Sequence, residues 1–216
     1  MKLAPSDSLA RTRRRTLIDI ALRRQRPGTG SLLRTGEKNP LMRWPDLQQV
    51  LLDVPWAVTG AVAARLYMAE RTTRDLDVLV LAGDAERVAL LLSEAGFTSA
   101  GRLAIGGSTW VAPDGTPVDV IEGEDAWVAT ALDKAHRNRD AQGLPILPLA
   151  YLVLMKLSAS RVQDLADVSR MLGAADEAQL DGTRAVVRAH APELAEDLES
   201  LIRLGKLESG EAGNQG

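Results

Sequence analysis

The sequence predicts an α/β (α+β) fold: a mixed β-sheet flanked by helices, with a helical C-terminal part and a basic N-terminal helical extension. Three observations carry that expectation. Residues 55–96 read as strand, helix, strand, helix, an α/β opening. Residues 97–123 alternate apolar and polar positions around a Pro-Asp-Gly turn, as antiparallel strands do. From Pro148 onward the apolar positions recur at helical spacing almost to the end of the chain.

Each element has its own signal. "SLARTRRRTLIDIALRRQ", residues 8–25, places Leu9, Leu17, Ile18, Ile20, Ala21 and Leu22 near helical spacing, and "RPGTG" breaks it. A loop rich in Gly, Pro and charge runs to Pro45, after which "DLQQVLLD", residues 46–53, reads as a short helix with Asp46 as N-cap. "PWAVTG" is a short buried strand closed by a turn at Gly60, and "AVAARLYMAE", residues 61–70, is a helix packed by Val62, Leu66 and Tyr67. "LDVLVLA" is the second strand, and "DAERVALLLSEAG" is an amphipathic helix between Asp84 as N-cap and a terminal Gly96. "FTSAGRLA", "STWVA" and "TPVDVIEG" follow as strands, the last two joined through "PDG". Pro148 suits a first helical position, and helices are expected over 149–159, 161–172, 176–190 and 192–205. The organisation expected is a basic extension (1–45), a sheet-bearing core (46–147), a helical part (148–205) and a polar, disordered tail (206–216).

Composition narrows the chemistry. With 45% hydrophobic residues in 216 the chain can bury a sizeable core, giving one domain plus extensions. It has no cysteine, which excludes a disulfide scaffold, a thiol nucleophile and thiolate metal sites, and only His136 and His190 remain as imidazole ligands, which argues against zinc. The longest apolar run, Ile146 to Met155, is far shorter than the ~20 residues of a membrane span. Arginines stand near the N-terminus in place of an apolar signal core, so a soluble cytoplasmic protein is expected. The net charge of −3 hides an asymmetry: residues 1–45 carry eleven basic side chains against three acidic ones, leaving an acidic remainder. The cluster Arg11, Arg13, Arg14 and Arg15 reads either as a phosphate-backbone contact or as a solvated or self-docking helix face.

The chemistry centres on carboxylates. In "RDLDVLV", Asp75 and Asp77 are two apart, so on a strand they share one face while Leu76 and Val78 enter the core. Like charges held that close need a cation, and a hard divalent ion prefers oxygen ligands. In "PVDVIEG", Asp119 alternates out of step with Val118 and Val120; alone it reads equally as an exposed strand aspartate. If its strand pairs with that of Asp75, it joins the patch as a third ligand or as a base for an attacking hydroxyl. Taken alone, Lys156 in an apolar helix and the i, i+3 pair Arg161 and Asp164 read as structural. Trp110 is the one tryptophan with a case as a nucleobase platform, and His136 reads as a solvated loop residue.

Two blocks carry a family resemblance. "VTGAVAARLYMAERTTRDLDVLV" resembles the nucleotidyltransferase superfamily signature, and Arg71, Thr73, Asp75 and Asp77 in R-x-T-x-D-x-D resemble its AbiEii-type branch, the nucleotidyltransferase-like toxins that include the MenT type. "YLVLMKLSASRVQDLADV" is similar to the downstream helical motif of that branch, through Lys156, Arg161, Asp164 and Asp167. The resemblance covers about residues 55–172 and implies a polymerase-β-like fold that moves a nucleoside monophosphate from an NTP to a hydroxyl. It implies Mg²⁺ or Mn²⁺ on Asp75, Asp77 and Asp119, with Asp119 assisting the acceptor and Lys156 acting as a charge on the phosphates. Gly60, Ala61, Arg71, Thr73, Arg74, Arg161 and Asp164 are the implied nucleotide contacts. Ala61 departs from the pattern, which has serine or glycine there, so a hydroxyl contact to phosphate is lost.

The acceptor expected is RNA, such as a tRNA 3′ end gripped by the basic arm, in a toxin with a cognate antitoxin protein. Transfer to a small molecule or a protein side chain is the alternative within enzymes. A catalytically silent binding module, which Ala61 would favour, is the alternative outside them.

Overall fold

The computed structural model describes residues 8–24, 43–68 and 73–210, which fall into two compact units. The first, a sheet unit, holds residues 43–66 and 73–148; the second, a helical unit, holds 8–24, 67–68 and 149–210. The secondary structure is the mixed α+β arrangement expected from the sequence.

In the sheet unit five strands, β1 (Trp56–Val58), β2 (Leu76–Leu81), β3 (Thr98–Arg102), β4 (Gly107–Val111) and β5 (Pro117–Gly123), are ordered β1-β2-β5-β4-β3. β2 and β5 are parallel and the other pairs antiparallel, so the sheet is mixed. Parallel neighbours need a crossover, and the residues between β2 and β5 supply it. Leu76, Val78, Val80, Val118 and Val120 alternate onto one face and are buried there. Helix α3 (Ala85–Glu94) lies on that side, contributing buried Val88 and Leu92. Leu79 and Ile121 go to the opposite face, where α4 (Val128–Ala135), which follows β5 directly, packs on β1 and β2. The free edge of β1 is closed by residues 145–147: Val58 N–H donates to Pro145 O at 2.7 Å and Leu147 N–H to Val58 O at 2.9 Å.

Two expected helices are cut short. Residues 46–53 form turns only; Asp46 does accept from Gln48 N–H at 2.9 Å, but Pro55 follows too soon for a helix to propagate. The helix expected over 61–70 is α2 (Gly60–Ala64), and Leu66, expected to pack, is 43% exposed. Asp84 begins α3 without a side-chain capping bond. No helix of the described residues is long and apolar enough to cross a membrane.

The helical unit comprises α1 (Ser8–Arg24), α5 (Leu149–Ala159), α6 (Val162–Ala174), α7 (Glu177–His190) and α8 (Ala195–Ser209). Tyr151 to Leu157 of α5 are all buried, as a helix apolar on every side must be. α6 and α8 approach until their backbones touch: a Cβ on Gly173 would stand 2.5 Å from Gly205 O, and one on Gly205 2.1 Å from Ser169 O. α8 runs to Ser209, so residues 206–209, expected in the disordered tail, are helical; 211–216 lie outside the described residues.

Candidate active site

Register builds the site. In the parallel pair β2 and β5, Asp77 stands directly opposite Asp119, and Asp75 lies in the bend that immediately precedes β2. One oxygen from each of Asp75, Asp77 and Asp119 lies within 4.8 Å of the others, and all three side chains are half-buried. Residues more than forty positions apart in sequence are thus brought into one cluster.

Two neighbours orient these carboxylates. The chain leaves β1 and turns at Gly60, whose φ of +63° lies in the left-handed region. Asp77 fills the space above it: a Cβ on residue 60 would stand 1.8 Å from Asp77 Oδ2. Thr59 N–H donates to Asp77 O at 2.8 Å, tying turn and strand together. Asp75 is held from the other side, since the Thr73 hydroxyl donates a short hydrogen bond to Asp75 Oδ1. Thr73, expected to contact nucleotide, therefore has its hydroxyl engaged with a carboxylate of the cluster.

The donor set suits a hard divalent cation. Three all-oxygen ligands close enough to share one ion match Mg²⁺ or Mn²⁺, and among the described residues no histidine or cysteine joins the cluster. Any side chain on residue 60 would obstruct the seat that the Asp77 carboxylate occupies.

The other expected site residues are placed as follows. Ala61 is buried at the start of α2, and with only five residues that helix brings little dipole to an anion. Arg74 is exposed beside Asp75; Arg71 lies outside the described residues. Trp110 is corrected: Thr109, not Trp110, pairs with Asp119, so the indole points to the opposite face of the sheet, where it is buried and its Nε1–H donates to Ser108 Oγ at 2.9 Å. His136 is exposed at the end of α4.

In the helical unit the second sequence block forms an ion cluster. Lys156 Nζ donates to Asp164 Oδ1 at 3.1 Å and to Asp167 Oδ2 at 2.8 Å, and Arg161 Nε donates to Asp164 Oδ2 at 2.8 Å. Lys156 does not snorkel, because two carboxylates meet it in the interior.

The arginine cluster divides. Arg14, expected among the phosphate contacts, is buried: Nε donates to Asp197 Oδ2 at 2.5 Å and NH1 to Ser160 Oγ at 2.8 Å. Ser160 has a φ of 54°, a left-handed conformation in the turn between α5 and α6. Arg15 pairs with Glu196, which holds the Glu196 carboxyl below its ordinary range. Arg11 and Arg13 are exposed. The partner of Arg14 was not foreseen, since Asp197 is 183 residues away in sequence. The Thr73 contact did have a signal, as a hydroxyl two residues before an aspartate is within hydrogen-bonding reach of it.

No family model matches the chain, and neither does any curated protein. Among solved structures, the antibiotic-resistance factor ANT(2'')-Ia is similar over 73% of this chain and 89% of its own, at 15% identity and a TM-score of 0.43. A CCA-adding enzyme in complex with CTP matches over 73% and 48%, at 12% identity and a TM-score of 0.34. Terminal uridylyl transferase 4 from Trypanosoma brucei with bound GTP matches over 78% and 57%, at 14% identity and a TM-score of 0.31. Likenesses this distant carry no argument about activity, which rests on the geometry of the aspartates.

Proposed function

We propose that the chain is a divalent-metal-dependent nucleotidyltransferase that moves a nucleoside monophosphate from an NTP to a hydroxyl acceptor. The observation that supports this best is the convergence of Asp75, Asp77 and Asp119 from two strands, with Gly60 seating Asp77. Asp75, Asp77 and Asp119 would hold Mg²⁺ or Mn²⁺, which when bound neutralises phosphate charge and lowers the pKa of a coordinated hydroxyl. Asp119 accepts the proton of the acceptor hydroxyl, and the half-buried setting of the cluster strengthens that interaction over its value in bulk water. Arg74, exposed next to Asp75, supplies charge to the departing pyrophosphate. Lys156 as a phosphate contact is proposed on the sequence block; two of its three donors are engaged with Asp164 and Asp167.

The acceptor proposed is RNA, in the manner of the toxin branch that the two blocks resemble, with Arg11 and Arg13 of α1 on its phosphates. A second reading, transfer to a small hydroxylated molecule, is favoured by the engagement of Arg14 and Arg15 within the chain, which halves the free part of that cluster.

Incubation with Mg²⁺, each labelled NTP and either total tRNA or a panel of hydroxylated small molecules separates these readings. Label on RNA, lost in Asp77→Ala, supports the first, and label on a small molecule supports the second. No transfer from any NTP to any acceptor would count against both.

A further inference from the structure

We propose that Thr73 is a positioning residue that sets which divalent cation the cluster accepts. The proposal rests on the metal reading above. Of the six carboxylate oxygens in the cluster, Asp75 Oδ1 is the one that receives the Thr73 hydroxyl, in a hydrogen bond from a residue two positions earlier on the same chain. An oxygen that already accepts a hydroxyl hydrogen bond has one lone pair engaged and less electron density to offer a cation, so Oδ1 is the poorer ligand atom of Asp75 and binding through both of its oxygens is disfavoured. The bond also restrains the rotation of the Asp75 carboxylate.

The consequence is selectivity. Ca²⁺ takes six to eight oxygens at longer distances and gains from carboxylates that bind through both oxygens, whereas Mg²⁺ and Mn²⁺ take six in near-octahedral geometry and accept single oxygens from each carboxylate. By weakening Oδ1 as a ligand, Thr73 tilts the cluster toward the smaller ions. Thr73 touches neither cation nor substrate in this account; it acts through Asp75.

The test is direct metal binding by the full chain without nucleotide. Free Mn²⁺ is followed by electron paramagnetic resonance and competed with Mg²⁺ or Ca²⁺, in the parent, Thr73→Val, Thr73→Ala, Thr73→Ser and Asp77→Asn. The two variants lacking the hydroxyl are expected to bind Mn²⁺ roughly tenfold more weakly, the usual scale for a lost outer contact to a metal ligand, and to lose part of the preference for Mg²⁺ over Ca²⁺. Thr73→Ser, which keeps the hydroxyl, should match the parent, and circular dichroism melts confirm that each variant is folded. If Thr73→Val and Thr73→Ala keep both the parent's Mn²⁺ affinity and its Mg²⁺-to-Ca²⁺ ratio while Asp77→Asn abolishes binding, the proposal is wrong and the metal reading stands. If the parent and Asp77→Asn bind Mn²⁺ alike, both fall.

Discussion

Asp77 Oδ2 occupies the space that a side chain on residue 60 would need, 1.8 Å from the position of a Cβ built on Gly60. The glycine is required twice, by its φ of +63° and by the carboxylate above it. Gly60→Ala is therefore expected to cost ~1–2 kcal/mol of stability from the left-handed backbone alone. Displacing Asp77 should do more harm to chemistry than to folding, lowering transfer by about 100-fold or more, since an ångström of misplacement is enough. Thermal melts and initial rates on the same preparation check both; a variant with parental rates would show that Asp77 is not part of the machinery.

Asp119→Asn should separate stability from activity in the opposite direction. Without a cation, Asp77 and Asp119 stand opposite each other as like charges, and removing one relieves repulsion. The melting temperature in EDTA is expected not to fall, while transfer and Mn²⁺ binding are lost. A drop in melting temperature without metal would mean that the carboxylate has a structural partner.

Arg14 and Asp197 predict a stability effect distinct from RNA binding. Their side chains are 5% and 4% exposed, so Asp197→Leu leaves the Arg14 guanidinium buried without its counter-charge, at a cost of about 3–5 kcal/mol, whereas Arg14→Met leaves Asp197 with Arg15 Nε at 3.7 Å and should cost less. Arg14→Met combined with Asp197→Leu should recover much of that loss. Arg11→Ala and Arg13→Ala should leave the melt unchanged and, if RNA is bound, reduce the salt dependence of binding by roughly one counterion each. Urea unfolding and salt titrations distinguish the two sets.

The neighbouring pair gives a pH effect of defined sign. Arg15 holds Glu196 below the ordinary carboxylate range, so the pair's contribution is present above that range and fades as pH falls through the lowered value. Both groups are exposed, so the effect is small, and Glu196→Gln should flatten it in melts taken from neutral to acid pH.

Lys156→Met should destabilise the helical unit by about 3–5 kcal/mol, since Asp167 is 1% exposed and would keep only the contacts that remain after the ammonium is gone. Lys156→Met with Asp167→Leu should regain stability. If that double variant also regains transfer, Lys156 is structural; if it is as stable as the parent yet inactive, the lysine contacts substrate.

Local pattern carried much of this in advance. The i, i+2 spacing of Asp75 and Asp77, the apolar residues between and after them, and the Pro-Asp-Gly hairpin are properties of adjacent residues, and strand periodicity translates them directly into faces. The same logic placed α5 to α8 within a few residues. It overran at residues 46–53 and 65–68, where helical propensity extends past the point at which turns and packing end the helix.

The sequence by itself thus determined the five strands, the approximate spans of α1, α3 and α5 to α8, and that Asp75 and Asp77 lie together, because short-range periodicity encodes them. Only the tertiary structure decided the register that sets Asp119 opposite Asp77, the face on which Trp110 is buried, and the partner of Arg14. Those depend on strand order and helix docking between residues far apart in the chain, where pairing and the matching of buried charge, rather than local preference, select one arrangement.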